Sequence, residues 1–302
     1  MANRIVLVGG TGYLGTALTR ELTRRGAAVI VAARGMSRPA RVAATAGKAD
    51  AAAPPGPQPR FRSADITSPA SLRDLLEPGD TVVNLVGLSP VRRPVGGRRS
   101  YRLSHLEGTR NLLAAAETAE AHRFVYLSAL GVTRDAGAAY AETKAQAEAL
   151  IEASPLESII VLPSILFSAD SELVGLLRLV SRFPAVPLPQ IAAPFRPIHV
   201  SDAAARIADA LLADDPPGRL PLAGPERLSF SDFVRRYLRE RGTPAVPLPA
   251  ALTPPLLGLV SRLKIPGLPA ELDRMLAIDN AGDAPSRPEE MIRYTSWVRR
   301  NR

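Results

Sequence analysis

The chain has no cysteine. That absence excludes disulfides, a thiolate nucleophile and cysteine-ligated metals together. Histidine is also scarce: His105, His122 and His199 are widely spaced and form no paired metal-binding motif, so no metal site is expected. Aromatic residues are 5% of the chain, are not interleaved with the basic ones, and accompany no nucleic-acid motif. A nucleic-acid partner is therefore not expected. No apolar run approaches the ~20 residues that a membrane-spanning helix needs. The opening "MANRIVLVGGTG" is too short in its apolar part to act as a signal peptide, so the expected location is cytoplasmic. Lysine is almost missing: Lys48, Lys144 and Lys264 stand among 38 basic residues. The net charge of +9 fits an arginine-rich soluble protein, or one that holds an anionic cofactor.

What is present suffices for a large core, with 302 residues of which 46% are hydrophobic. The first 165 residues alternate apolar strand-like runs with helical ones. "RIVLV" (4–8), "AAVIVAAR" (27–34), "FRSADI" (61–66), "DTVVNLVG" (80–87), "RFVYLS" (123–128) and "ESIIVL" (157–162) read as strands. Helices are predicted after the first run, over "PASLRDLL" behind Ser68, from about Tyr101 to Ala121, and around Tyr140. Apolar strands each followed by a helix predict the α/β class, a doubly wound parallel sheet covered on both faces. Residues 35–60, rich in Ala, Pro and Gly, read as a mobile loop.

The organisation expected is a dinucleotide-binding domain over 1–165 and a smaller, mostly helical substrate- or partner-covering region over 166–302. Segments at about 194–224 are expected to return to the sheet. A helix at 201–213 is read as capped by Ser201, and the helix in "SFSDFVRRYLRERG" as capped by Ser229. Residues 249–269 are apolar but broken by Pro254, Pro255 and Pro266, which suits contact with a peripheral protein or a membrane face.

The strongest motif is "VLVGGTGYLGTAL". Gly9, Gly12 and Gly15 fall between a strand and an amphipathic helix, with Thr11, Tyr13 and Leu14 in the same loop. Gly9 permits the tight turn, Gly12 lets backbone approach a pyrophosphate, and Gly15 allows close packing. The helix N-terminus adds N–H donors and a positive dipole end. NAD sites place an acid about twenty residues later, for the ribose 2′-hydroxyl. Here Arg34 stands at that point, with Arg38 and Arg41 following, so NADP(H) is expected over NAD(H). Asp65 is positioned to accept from the adenine amino group, and Ile66 to pack on the ring. Val86 and Gly87 end the fourth strand where the nicotinamide-side ribose would lie.

The motifs "GGTGYLG", "ADI", "NLVG", "GTRNLL", "YLSALG" and Tyr140-x-x-x-Lys144 resemble the extended and atypical short-chain dehydrogenase/reductases, which include epimerases and dehydratases. "SHLEGT", "SALG" and "LAIDNA" resemble more closely the branch around the dinucleotide-binding accessory subunit of respiratory complex I and its bacterial relatives. That resemblance implies a Rossmann-type domain and a tyrosine that exchanges a proton with substrate. It further implies a lysine that lowers the phenol's pKa and binds the nicotinamide ribose. Carried over, Tyr140 and Lys144 are candidate catalytic residues and Ser128 the nearest hydroxyl. Lys144, His105, Pro163 and Ile165 join the expected cofactor contacts. His105 has a structural alternative, hydrogen bonding near the site or capping a helix, and His199 receives no catalytic part. The sequence departs from the pattern at Ala129 and Leu130, where active relatives carry Ser or Thr, and at Ser168, where they carry Gly. Arg92, Arg93, Arg98 and Arg99 lie in the loop expected to rim the substrate side.

Three functions fit these residues: an NADP(H)-dependent oxidoreductase or epimerase-like enzyme on a small molecule, a non-catalytic dinucleotide-binding structural protein, and a redox sensor. The Tyr140–Lys144 pair favours the first, and Ala129 and Leu130 favour the others. Neither the substrate nor the oligomeric state is written in the sequence.

Overall fold

The computed structural model describes residues 4–34, 57–89, 97–252 and 278–301. The 35–56 part of the expected loop, Arg38, Arg41, Arg92, Arg93 and most of 249–269 lie outside the described residues. Seven strands form one parallel sheet. They are β1 (Ile5–Val8), β2 (Val29–Ala33), β3 (Arg60–Ser63), β4 (Thr81–Asn84), β5 (Arg123–Leu127), β6 (Glu157–Pro163) and β7 (Arg219–Leu222). Their order across the sheet is β7-β6-β5-β4-β1-β2-β3. The chain starts at the centre, winds out one way to β3, and returns through β4 to build the other half. This is a Rossmann-type sheet, and the reversal between β1 and β4 opens a crevice at the strands' C-terminal ends.

The central strands β1, β2, β4 and β5 read as apolar runs because both faces are covered, whereas β3 is mostly exposed. In β1, Ile5 and Leu7 face a core completed by Leu14, Leu18 and Leu22 of α1 (Tyr13–Arg24). A later helix, Val200–Leu212, joins the same layer through Ala203, Ile207 and Leu211. Val6 and Val8 face the opposite layer, with Leu112, Ala116, Ala147 and Ile151. That layer holds α2 and α3. Helix α2 is one continuous run made of Arg98–Tyr101, a π-helical stretch Arg102–Glu107 and a regular segment Gly108–Thr118. Helix α3 is Ala139–Glu152. A third core lies outside the sheet, where Phe167, Phe233, Tyr237, Tyr294 and Trp297 pack together. The Phe233 and Tyr294 rings stack at 3.9 Å.

Three local expectations change. "PASLRDLL" forms only one 3₁₀ turn, Pro69–Leu72. The Ser71 hydroxyl bonds back to the carbonyls of Asp65 and Ser68, which competes with a longer helix. The helix from Val200 is capped by His199, whose Nδ1 accepts from the Ser201 N–H, instead of by Ser201. Arg98 and Arg99, expected in the loop after the fourth strand, form the first turn of α2, and the π stretch that follows has no sequence signature of its own. The Ser229 cap stands as expected, accepting from the Asp232 N–H at 3.1 Å.

Phe233 is fully buried in the third core. Phe233→Ala should cost about 3–5 kcal/mol of unfolding free energy in denaturant titration. A loss below about 1 kcal/mol would mean that this core contributes little.

Candidate functional site

The loop after β1 is built for close approach. Gly9 has φ +85°, donates its N–H to the Ala32 carbonyl at 2.8 Å, and accepts from Gly12 at 2.9 Å. A Cβ on Gly15 would lie 2.6 Å from the Cα of Gly10, so the helix start packs on the loop's own backbone. Gly12 is exposed, and a Cβ there would meet only the Gly9 carbonyl oxygen within 4 Å. No side chain caps α1 and no acid sits in its first turn. Its N–H groups and dipole are thus open to an anion, which fits a dinucleotide pyrophosphate. Thr11 and Tyr13 are partly exposed and Leu14 is in the core.

Around the neighbouring strand ends, Arg34 directly follows β2 and is exposed. Asp65 is partly exposed, and one carboxylate oxygen accepts from the Thr67 N–H and hydroxyl at 2.9 and 2.8 Å. Ile66 is buried against helix α2, where a Cβ on Gly108 would lie 2.4 Å from its Cδ1. A side chain at 108 would have to displace Ile66, which belongs mainly to the core.

After β4 the chain is shaped by Asn84. Its Nδ2 donates to Thr109 Oγ1 at 3.0 Å and its Oδ1 accepts from Val86 N–H at 3.1 Å. The π stretch of α2 then presents His105, fully buried, to the next residues. The Leu88 N–H donates to His105 Nε2 at 3.1 Å, and His105 Nδ1 lies 3.0 Å from Thr143 Oγ1. Thr143 donates its own hydrogen to the Ala139 carbonyl at 2.6 Å, which leaves His105 Nδ1 as the donor. Burial, and then the Lys144 charge, push the His105 pKa well below its usual value. His105 is thus a neutral strut between the β4 loop and α3. Both ring nitrogens have protein partners, so His105 braces the turn that carries Gly87.

Tyr140 and Lys144 lie one turn apart on α3. Lys144 is 3% exposed and donates to the Leu127 carbonyl at 2.7 Å. Its ammonium stands 5.0 Å from the Tyr126 ring and 5.6 Å from the Tyr140 ring. A Cβ at Gly87, which is exposed, would lie 3.8 Å from Lys144 Nζ and 3.6 Å from His105 Nε2. The structure therefore joins Gly87, His105, Tyr140 and Lys144. Tyr140 also meets Tyr101 and His105 edge-on, at 5.8 and 5.4 Å between ring centres. Burial, then Tyr101, raises the Tyr140 pKa, so the phenol keeps its proton through neutral pH. Burial pushes Lys144 down to about 7, against an upward pull from Glu148.

Ser128 requires a correction. Its hydroxyl is buried and donates to Glu148 Oε1, two turns beyond Tyr140 on α3. A hydroxyl committed to a carboxylate there is not available to polarise a substrate carbonyl beside Tyr140. Of the next residues, Ala129 and Leu130, Leu130 meets the segment 278–282. Asn280 Nδ2 donates to the Leu130 carbonyl at 2.6 Å, and the Asn280 carbonyl accepts from Ser164 Oγ at 2.7 Å. Gly131, at φ +75°, leaves room for Asp279, whose carbonyl oxygen a Cβ would meet at 2.3 Å. Pro163 is buried and its carbonyl accepts from Leu130 N–H at 3.0 Å, while Ile165 packs on the third core. Ser168 accepts the Tyr13 hydroxyl at 2.9 Å, tying the glycine loop to the second half of the chain. Sequence reasoning passed over Asn84, Tyr101, Tyr126, Thr143 and Glu148. Only Glu148 carried a usable signal, its spacing of four from Lys144.

Gly15→Ala should lower the melting temperature and weaken nicotinamide-nucleotide binding together, since the added methyl meets backbone and not a flexible side chain. Calorimetry on the variant checks both; wild-type values for both would show that the loop can open at no cost.

A family model described as the NAD dependent epimerase/dehydratase family matches residues 5–156. A curated relative, the ceramide reductase of Caulobacter vibrioides, is 29% identical over 144 residues, which are 47% of this chain and 44% of that protein. The chain spans less than half the length of the curated relatives it matches. A solved nucleoside-diphosphate-sugar epimerase from Staphylococcus aureus matches with a TM-score of 0.74 at 17% identity, covering 98% of this chain and 99% of that one. The human epimerase family protein SDR39U1 with NADPH matches with a TM-score of 0.68 at 19% identity, covering 98% of each chain. These two likenesses are ones of fold. With a family match over half of its length, on the strands and helices that form the glycine loop and the Tyr140–Lys144 pair, the chain belongs to the NAD dependent epimerase/dehydratase family.

Proposed function

We propose that this protein is an NADP(H)-dependent oxidoreductase or epimerase-like enzyme acting on a small molecule with a carbonyl or alcohol group. The observation that carries the reading is the Tyr140–Lys144 pair beside exposed Gly87, at the same C-terminal end of the strands as the open glycine loop. When bound, the nicotinamide supplies or accepts hydride. Lys144, beside Gly87, would donate to the nicotinamide ribose, with His105 bracing the turn that carries Gly87. Tyr140 holds the proton: a phenol kept neutral by burial donates to a developing alkoxide, which favours reduction near neutral pH. The reductase name of the Caulobacter relative supports that direction. Arg34, exposed at the end of β2 where NAD sites place an acid, supports a 2′-phosphate and hence NADP(H).

A second reading has its own support. Ser128 is committed to Glu148, and Ala129 and Leu130 offer no hydroxyl. A non-catalytic dinucleotide-binding protein, of the kind suggested by the resemblance to the complex I accessory branch, or a redox sensor would tolerate this. The two readings part on one variant. Under the enzyme reading, Tyr140→Phe lowers turnover by about 100-fold or more while NADPH affinity stays within about twofold. Turnover at the wild-type rate would remove Tyr140 from the chemistry. Arg34→Asp should shift the ratio of NADPH to NADH affinity at least about tenfold toward NADH, by loss of a charge-assisted phosphate contact. An unmoved ratio in calorimetric titration would overturn the assignment of Arg34.

A further inference from the structure

Glu148 follows Lys144 by one turn of α3, so the two side chains share a helix face. It is buried, a costly setting for a carboxylate unless it is paired and hydrogen-bonded. Two strands meet that need. Ser128, just past β5, donates its hydroxyl to Glu148 Oε1. Arg219 of β7 donates Nη2 to Glu148 Oε2 and Nη1 to Glu152 Oε1, both at 2.6 Å. Among the described residues Lys144 makes no ion pair within 4 Å, while Glu148 pairs with Arg219, so any compensation from Glu148 acts through space. The Lys144 hydrogen bond goes to an uncharged carbonyl, its ammonium lies near the Tyr126 and Tyr140 rings, and the His105 close to it is neutral.

We propose that Glu148 is the counter-charge of Lys144, and that Ser128 and Arg219 serve to hold this carboxylate so that the lysine stays an ammonium. Ser128 thereby acquires a part different from catalysis, which explains a serine at the strand end while Ala129 and Leu130 follow it. Glu148 is a positioning residue: it acts through Lys144 and touches neither cofactor nor substrate. The functional meaning rests on the reading of Lys144 as the ribose contact.

The groups facing Lys144 are Tyr126 from β5, His105 from α2, and Tyr140 and Glu148 from α3, with Arg219 of β7 behind Glu148. Of these, Glu148 favours the charged lysine. Burial draws the Lys144 pKa down to about 7, which favours the ammonium form below that pH and its loss above it. Without the carboxylate the midpoint must fall, and at pH 7 most of the side chain becomes a neutral amine.

The chain's three lysines make this directly measurable. Protein labelled with ¹³C at lysine Cε gives three resonances, and Lys144→Met identifies the one of interest. The expected wild-type midpoint is near 7. Glu148→Gln should lower it by about one unit or more, and Glu148→Asp should restore most of that shift. Glu152→Gln, at an exposed neighbour, should leave it unchanged. Should Glu148→Gln fail to fold, Glu148→Leu with Arg219→Leu replaces the pair by apolar side chains, a change that such sites often accept. It should lower the midpoint likewise. An unchanged midpoint in either folded variant overturns the proposal. The titration uses no nucleotide, so a wild-type protein that binds neither NADPH nor NADH would defeat the functional reading and leave this result standing.

Discussion

An ammonium group 3% exposed to solvent, at the end of a parallel sheet, is the constraint around which the rest of the site is arranged. Burial works against the charge on Lys144, and the surroundings answer with a backbone carbonyl, two aromatic rings and a carboxylate one turn away. Each answer fixes another part of the fold. The Leu127 carbonyl ties α3 to β5, the Tyr140 ring is held by Tyr101 and His105, and Glu148 draws in Ser128 and β7. The π stretch in α2 serves the same centre by turning His105 inward, where it joins the β4 loop to Thr143.

The second half of the chain completes what the sheet begins. β7 is the seventh strand, and Arg219 reaches from it to α3. The segment 278–282 covers the loop after β5 through Asn280, and Ser168 takes the Tyr13 hydroxyl from the start of α1. Position 168 looks like a simple departure from the family pattern, but its hydroxyl has a partner that a glycine would lack. The covered Leu130 and the committed Ser128 together explain how this chain can keep the tyrosine and lysine while the usual hydroxyl is absent.

Most of the early strands were legible because their apolar runs are buried on both faces, and periodicity reports burial well; β3, mostly exposed, is the exception. Gly9 and Gly15 were legible for a related reason: a positive φ and a backbone approach leave glycine as the residue that fits. What stayed hidden depends on contacts between distant segments. Nothing in "RLSHLEGT" announces a π stretch, and the approach of Ile66 to Gly108, 42 positions away, is one that no local pattern encodes. Ser128 carried the right residue type at the right strand end, but its direction was decided by Glu148 on another element. "PASLRDLL" had helical spacing, yet Ser71 spent its hydroxyl on nearby carbonyls and one turn resulted. Strand, loop and the tyrosine–lysine spacing follow local rules; hydroxyl and imidazole orientation follow the tertiary neighbours.

The central claim is that the Lys144 face of the sheet edge holds a nicotinamide nucleotide for chemistry at Tyr140. Mass spectrometry of the nucleotide released from natively purified protein tests it most directly. The account predicts NADP⁺ or NADPH in near-stoichiometric amount, and a bound NADPH that is oxidised when carbonyl compounds are supplied. Protein that carries no nicotinamide nucleotide and takes none up from millimolar NADPH would contradict it.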